Sequence, residues 1–145
     1  MKEDEYFKDR LEKQLMWYDY KSQYNQKCYK TLRLIEIIAA ALIPFFSGMS
    51  DKILYSSWLI GGLGVLIAVS AATGSLFKYH ENWIGYRTIA EQLKHEKFIY
   101  ITNTPPYDVE GKFEMLVERV ENIISKENSV WTATSKKQGQ LSKSA

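Results

Sequence analysis

The longest uncharged stretch of the chain constrains its fold most strongly. Residues 53–77, with the sequence ILYSSWLIGGLGVLIAVSAATGSLF, contain no Asp, Glu, Lys, Arg or His. At about 1.5 Å of rise per residue, a helix over these residues is long enough to cross a hydrocarbon core about 30 Å thick. Because lipid offers the backbone no hydrogen-bond partner, a spanning segment must satisfy its own N–H and C=O groups as a helix. The pattern predicts a transmembrane helix.

Another apolar stretch, residues 34–50, precedes the stretch at 53–77 in the chain. It is the first of the two predicted spans. Only Asp51 and Lys52 separate the two stretches, so together they predict a transmembrane hairpin. Pro44 removes a backbone hydrogen bond from the first span, and we expect it to kink that helix or to end its regular part.

The overall composition hides these two spans. A mean hydropathy of −0.30 would suit a soluble protein, because charged segments on either side offset the apolar ones. The formal net charge of +2 is small, and no basic stripe alternates with aromatic residues. The sequence therefore predicts no nucleic-acid partner. The single cysteine, Cys28, allows neither an internal disulfide nor a metal site built from several cysteines.

Basic residues near the ends of the spans predict the orientation of the hairpin. Lys52 is the one basic residue in the connecting turn, and it lies beside Asp51. The other ends carry more positive charge, which membrane proteins keep on the cytoplasmic side. We therefore expect both termini in the cytoplasm. The basic residues flanking the spans on that side are Lys21, Lys27, Lys30, Arg33, Lys78 and Arg87.

Apolar residues at spacings of three and four predict helical arms on the cytoplasmic side. Two prolines, Pro105 and Pro106, stop the arm that follows the second span. The last arm is amphipathic, and its apolar face includes Phe113, Leu116 and Val120. We predict one domain over residues 1–131, with cytoplasmic helices at 4–33, 78–102 and 107–131, spans at 34–50 and 53–77, and a disordered tail at 132–145.

Glu36 is the one carboxylate inside the first span, about one turn from its cytoplasmic end. A charge at that depth is costly and needs a physical reason. One interpretation is a local ion pair with Arg33 or Lys78. The other is that Glu36 lines an aqueous vestibule and selects cations, as acidic rings do in channels. The candidate pore-lining residues are Glu36, Thr31, Ser70 and Thr73, although a hydroxyl in a membrane helix can instead bond to its own backbone.

Small residues form a stripe along the second span at alternating steps of four and three. Small side chains let membrane helices approach closely, so the stripe predicts a helix-packing seam. Its neighbour is either the first span of the same chain or the same helix of another subunit. The residues of this seam are Ser57, Gly61, Gly64, Ala68 and Ser75.

The sequence carries no recognisable catalytic motif. It has neither a Gly-rich phosphate loop after a strand nor a His-Glu-x-x-His motif, and its two histidines, His80 and His95, lack further ligands at metal-binding spacing. We therefore expect no enzymatic activity, no cofactor and no bound metal.

The run YRTIAEQLKHEKFIY at residues 86–100, the Pro-Tyr loop at 106–107 and the closing segment FEMLVERVENIISKENSVW carry a family resemblance. The chain resembles the SLATT superfamily of bacterial two-transmembrane proteins, and within it the branch catalogued as a domain of unknown function. The resemblance implies a pore-forming effector of the bacterial inner membrane, encoded beside nucleotide-messenger synthases or sensors, that depolarises the host membrane upon infection. The family signature would comprise Tyr86, Arg87, Glu91, Lys94 and Glu96, which we expect to tie the helix leaving the membrane to the other arms.

Taken together, these observations predict an all-α membrane protein that assembles as a homo-oligomer. Our functional prediction is an ion channel or pore, cation-conducting and gated through the cytoplasmic helices. The trigger would come from a separate nucleotide-messenger sensing partner or from a small ligand bound between subunits. The alternative is a membrane-anchored interaction module that recruits a cytoplasmic protein without conducting. Under that alternative, Glu36→Gln leaves activity intact, whereas disrupting the apolar stripe of the last helix abolishes it.

Overall fold

Helices account for nearly all of the described chain. The computed structural model describes residues 2–49 and 55–141, and of residues 127, 128 and 130–141 it describes the backbone only. Within these ranges the chain contains no β-strand, which confirms the all-α prediction. A short π-helical segment, Phe7–Leu11, follows the first helix. The α-helices are α1 (Glu3–Tyr6), α2 (Glu12–Gly48), α3 (Ser56–Phe77), α4 (Tyr79–Ile101) and α5 (Lys112–Leu141).

Helix α2 joins the predicted first arm and the predicted first span into one continuous helix. Pro44 lies inside it, and the helix continues to Gly48, so the expectation that Pro44 ends the regular part is not met. Proline removes only its own N–H from the ladder, and the last turn is closed further on, where Met49 N–H donates to the Phe46 carbonyl at 3.2 Å. The predicted turn at residues 51 and 52 lies outside the described residues.

Helices α3 and α4 are separated by a single residue, Lys78. The sequence predicted that the second span ends at residue 77 and that the next helix begins directly at residue 78. Lys78 adopts the left-handed conformation, with φ 50° and ψ 41°. The side-chain amide of Asn82 donates to the Phe77 carbonyl at 3.1 Å and satisfies one of the carbonyls that the end of α3 leaves free. Left-handed backbone costs a residue other than glycine about 1–2 kcal/mol, so the sequence offers no signal for a break at a lysine.

Helix α5 differs from its prediction at both ends. It begins at Lys112, not at residue 107, because Gly111 takes a φ of +80° at the end of the loop. It continues to Leu141, so residues 132–141 of the predicted disordered tail are helical, and residues 142–145 lie outside the described chain. Alanine, lysine and glutamine in this stretch are good helix formers.

The contacts divide the chain into two compact units. The first unit comprises residues 1–19 and 87–145, and the second comprises residues 20–86. The first unit has its own apolar core, in which Leu11, Leu93, Leu116 and Val120 are fully buried. The apolar face of α5 is therefore covered within the chain, as its amphipathic pattern predicts.

Few residues of the apolar stretches of α2 and α3 are buried in the second unit. Only 6% of the most apolar window of each is buried within the chain. Ile37 of α2 and Trp58 and Val65 of α3 are 64%, 83% and 64% exposed. The helical stretches Glu3–Gly48 and Ser56–Ile101 each contain a window long and apolar enough to cross a membrane.

Candidate functional site

A cleft of about 290 Å³ lies in the second unit, where charged residues adjoin the apolar stretch of α2 and follow the end of α3. Its lining combines small and apolar side chains with charges of both signs. The lining residues are Tyr29, Leu32, Arg33 and Glu36 of α2; Ala71, Gly74 and Ser75 of α3; Lys78; and His80 and Glu81 of α4.

Glu36 forms the local ion pair that the sequence suggested as one of two interpretations. Arg33 Nη1 donates to Glu36 Oε2 at 2.6 Å. The Glu36 side chain is 13% exposed, whereas that of Arg33 is 62% exposed, so the carboxylate lies in the cleft and the guanidinium extends toward its outside. Lys78 lines the same cleft from the junction of α3 and α4. The ion pair and the position in the cleft occur together, so the pair does not exclude a vestibule role for Glu36.

Aromatic rings join α2 to the start of α4 beside the cleft. The Tyr29 ring lies 4.7 Å from the His80 ring and 6.3 Å from the Trp83 ring, measured between centroids. The Lys30 ammonium lies 5.9 Å from the Trp83 ring centre. These contacts hold two walls of the cleft together, and such ring pairs each add about 0.5–1.5 kcal/mol beyond their buried area.

The other three candidate pore-lining residues do not line the cleft. Ser70 is buried at 4% exposure, on the face of α3 that is covered within the chain. Thr73 donates its hydroxyl to the Val69 carbonyl at 2.8 Å, which is the backbone bond that the sequence left open as an alternative. Thr31 is exposed. Of the four candidates, the structure brings only Glu36 into the cleft.

The predicted small-residue seam is uncovered in the chain. Ser57, Gly61, Gly64, Ala68 and Ser75 are all exposed, and a Cβ built on Gly61 or Gly64 would meet nothing within 4 Å. The covered face of α3 is a neighbouring one, which runs through Ser56, Ile60, Leu63, Ile67 and Ser70. The described residues of the same chain do not cover the seam, and a second subunit remains as its predicted neighbour.

The first unit contains a buried carboxylate, Glu96, that accepts hydrogen bonds from the α4–α5 loop and from α5. Glu96 is 6% exposed, and both of its oxygens have partners. The Tyr107 hydroxyl donates to Oε2. Arg119 donates to Oε1 from Nη2 at 3.0 Å and from Nε at 3.2 Å. Desolvation and the neighbouring Glu96 raise the pKa of Tyr107 well above its ordinary value, so the phenol remains a proton donor.

Two ion pairs and a tyrosine hydrogen bond join α4 and α5 to the N-terminal segment of the first unit. Lys97 Nζ lies 2.8 Å from Glu12 Oε1, and the Tyr100 hydroxyl donates to Glu3 Oε1 at 2.5 Å. Arg10 donates two hydrogen bonds to Glu121 of α5, from Nε to Oε1 at 2.9 Å and from Nη2 to Oε2 at 2.8 Å. None of these partners is local in sequence, so helical spacing gave no signal for them.

The predicted coupling network is present only in part. Lys94 lies 3.5 Å from Glu91 and 3.6 Å from Asp19, so it does tie α4 to the first helical arm. Arg87 is exposed, and no described carboxylate pairs with it. Glu96 acts through Arg119 and Tyr107, while Tyr86 belongs to the second unit and is half-buried.

Over residues 2–49 and 55–141 these features define an all-helical protein with two helices long and apolar enough to cross a membrane. Residues 13–112 match the family described as "Protein of unknown function (DUF4231)", and the chain belongs to that family. The match confirms one part of the expectation, that the chain carries a domain of unknown function. It covers Glu96 and Tyr107 and ends before Arg119. The comparisons with curated proteins and with solved structures found no match.

Proposed function

We propose that this protein is an ion channel of the bacterial inner membrane, formed by several copies of the chain. One observation carries the proposal: Glu36, the one carboxylate of the first apolar span, lies in a cleft lined also by the charged residues Arg33, Lys78 and Glu81. A carboxylate placed at the mouth of a membrane pathway attracts cations. Two membrane helices cannot enclose a water-filled path alone, so conduction requires a homo-oligomer.

The exposure of the apolar windows supports the membrane placement. Burial of apolar surface is favourable by about 25 cal/mol per Å², so the largely uncovered faces of α2 and α3 favour a lipid environment over water. The distribution of basic residues supports an orientation with both termini in the cytoplasm. Glu36 and its cleft would then lie near the cytoplasmic headgroups.

The opening signal is part of the proposal and derives from the resemblance to the SLATT superfamily. A nucleotide-messenger sensing partner would act on the cytoplasmic helices, and the pore would depolarise the membrane during bacterial defence. Apart from Glu36, the spans offer few polar side chains to water. The resting pore would therefore be closed by an apolar constriction that excludes water.

Ionic current through a planar bilayer in asymmetric salt tests the proposal. We expect discrete openings whose reversal potential lies toward that of the cation and shifts on Glu36→Gln. Glu91→Gln is the matched control, because Glu91 lies on α4 outside the cleft and should leave the reversal potential unchanged. A bilayer that stays silent with folded oligomer, candidate messengers and the sensing partner present would contradict conduction.

The Arg33 pair favours a second candidate function. Because Arg33 partly neutralises Glu36, the hairpin could serve as an anchor, and the cytoplasmic helices would recruit another protein. Under this alternative Glu36→Gln leaves function intact. Leu116 and Val120 are fully buried in the first unit, so substitutions there would act by unfolding that unit and not by removing a contact surface.

A further inference from the structure

The cleft of the second unit carries charges that its own ion pair does not use. Arg33 and Glu36 pair with each other. Lys78 and Glu81 line the same cleft, and neither has an ion-pair partner among the described residues. The cleft therefore offers an unpaired ammonium and an unpaired carboxylate, in addition to the Arg33 guanidinium that is 62% exposed. A ligand with one positive and one negative group matches this set.

We propose that the cleft binds the headgroup of a zwitterionic phospholipid whose cation is a primary ammonium. The phosphate would accept hydrogen bonds from Lys78 and Arg33, and the ammonium would donate to Glu81 and Glu36. The proposal rests on the membrane placement given above but not on conduction. At about 290 Å³ the cleft is at the small end of ligand sites, which suits a headgroup more than a large soluble ligand.

The apolar part of the cleft lining suits the apolar part of the same molecule. It comprises Leu32, Ala71 and Gly74, and a Cβ on Gly74 would lie 3.8 Å from Leu32 Cδ1, so α3 and α2 lie within van der Waals reach of each other there. From these residues the exposed apolar faces of both helices extend toward the predicted hydrocarbon core. An acyl chain could follow those faces while the headgroup stays among the charges.

The test measures lipid binding to the purified full-length protein in detergent, by native mass spectrometry. Phosphatidylethanolamine, phosphatidylcholine and phosphatidylglycerol with identical acyl chains are compared, together with soluble glycerophosphoethanolamine. We expect the ethanolamine lipid to bind most tightly. The quaternary ammonium of the choline lipid cannot donate hydrogen bonds, and the glycerol lipid has no cation. Equal binding of all three lipids, or equally tight binding of the soluble headgroup, would overturn the proposal.

Three variants locate the site. Lys78→Asn, chosen because asparagine tolerates left-handed backbone, should weaken binding of the ethanolamine lipid about tenfold. Ala71→Leu, which enlarges an apolar lining residue without changing charge, should also weaken it and serves as the test should Lys78→Asn fail to fold. Lys27→Gln is the matched control, since Lys27 is exposed and does not line the cleft. An equal loss with Lys27→Gln would indicate general surface attraction and overturn the proposal.

The bilayer recordings and the lipid measurement fail independently. A silent bilayer with an intact preference for the ethanolamine lipid would contradict the channel proposal and support the lipid site. Conduction without any lipid preference would contradict the lipid site and support the channel proposal.

Discussion

Glu96 of α4 and Arg119 of α5 are joined by two hydrogen bonds across a sequence separation of 23 residues. The second oxygen of the same carboxylate accepts a hydrogen bond from the hydroxyl of Tyr107, which lies in the loop between those helices. A buried carboxylate is tolerated only when its oxygens are satisfied, and here each oxygen has a partner. The Glu96 side chain thus links α4 to α5 and to the loop between them.

Replacing Glu96 should destabilise the first unit. Glu96→Gln keeps the shape but removes the charge that Arg119 pairs with, and we expect the free energy of unfolding to fall by about 1–3 kcal/mol. Thermal unfolding in detergent, followed by helical circular dichroism, measures the change. Glu91→Gln is the control: its pair with Lys94 is exposed, so the loss should stay below about 1 kcal/mol. Equal losses of unfolding free energy in the two variants would show that Glu96 stabilises the first unit no more than the exposed Glu91 does.

Alkaline pH should weaken the fold through its buried tyrosines. Desolvation and Glu121 raise the pKa of Tyr6 to about 12, and burial together with an acidic neighbour raises the pKa values of Tyr100 and Tyr107 further. A raised folded-state pKa stabilises the protein fully below the ordinary value near 10 and loses this contribution as pH rises toward 12. Absorbance of tyrosinate should show a late-titrating group, and Tyr107→Phe should reduce its amplitude. Titration of all ten tyrosines near pH 10 in the folded protein would contradict this expectation.

The Arg10–Glu121 pair should make the stability of the fold depend on pH in the acidic range. Its hydrogen bonds lower the pKa of Glu121 below the ordinary value near 4.5. A lowered folded-state pKa stabilises the protein above pH 4.5, and this contribution disappears as pH falls further. Both side chains are about 40% exposed, so we expect Glu121→Gln to cost about 1 kcal/mol or less at neutral pH. The variant and the wild type should converge in melting temperature at low pH; a constant gap would show that the pair does not titrate.

Lys78 should tolerate glycine better than a helical position does. Because left-handed backbone costs non-glycine residues about 1–2 kcal/mol, Lys78→Gly should raise the free energy of unfolding or leave it unchanged. Lys27→Gly is the comparison, since the same change inside α2 should cost about 1 kcal/mol. Lipid-free detergent keeps any headgroup binding out of the measurement. Equal destabilisation by both variants would argue that Lys78 is helical.

The uncovered seam of α3 predicts which glycine matters for assembly. Gly64→Leu places a bulky side chain on the small-residue stripe, and Gly62→Leu places the same side chain on a different face, because successive helix residues turn by about 100°. A Cβ at either position meets no atom within 4 Å apart from its chain neighbours and the nearby backbone of its own helix, so we expect both variants to fold. Light scattering after size-exclusion chromatography should show smaller oligomers for Gly64→Leu only. Identical oligomers for both variants would place the subunit contact elsewhere.

The sequence predicts the helices well and their long-range partners poorly. Apolar runs and three-four spacing identify α2, α3, α4 and the buried face of α5, because these signals are local. The junction at Lys78 carries no local signal, since its residue type disfavours the conformation it adopts. Glu96 could be singled out from its motif, but Arg119 could not, because their pairing depends on how α4 and α5 pack. For Glu36, the sequence left two interpretations open, and the structure provides both the ion pair and the cleft.

The loop between α4 and α5 looks like a linker in the sequence, with two adjacent prolines between polar residues. Tyr107 within it is nevertheless completely buried and bonded to Glu96. A protease must draw an extended stretch of backbone into its active site, and here that requires pulling a tyrosine out of the core. Cleavage at this connection would therefore report opening of the helical unit itself. Its protease resistance would then depend on the stability of that unit more than on the exposure of its prolines.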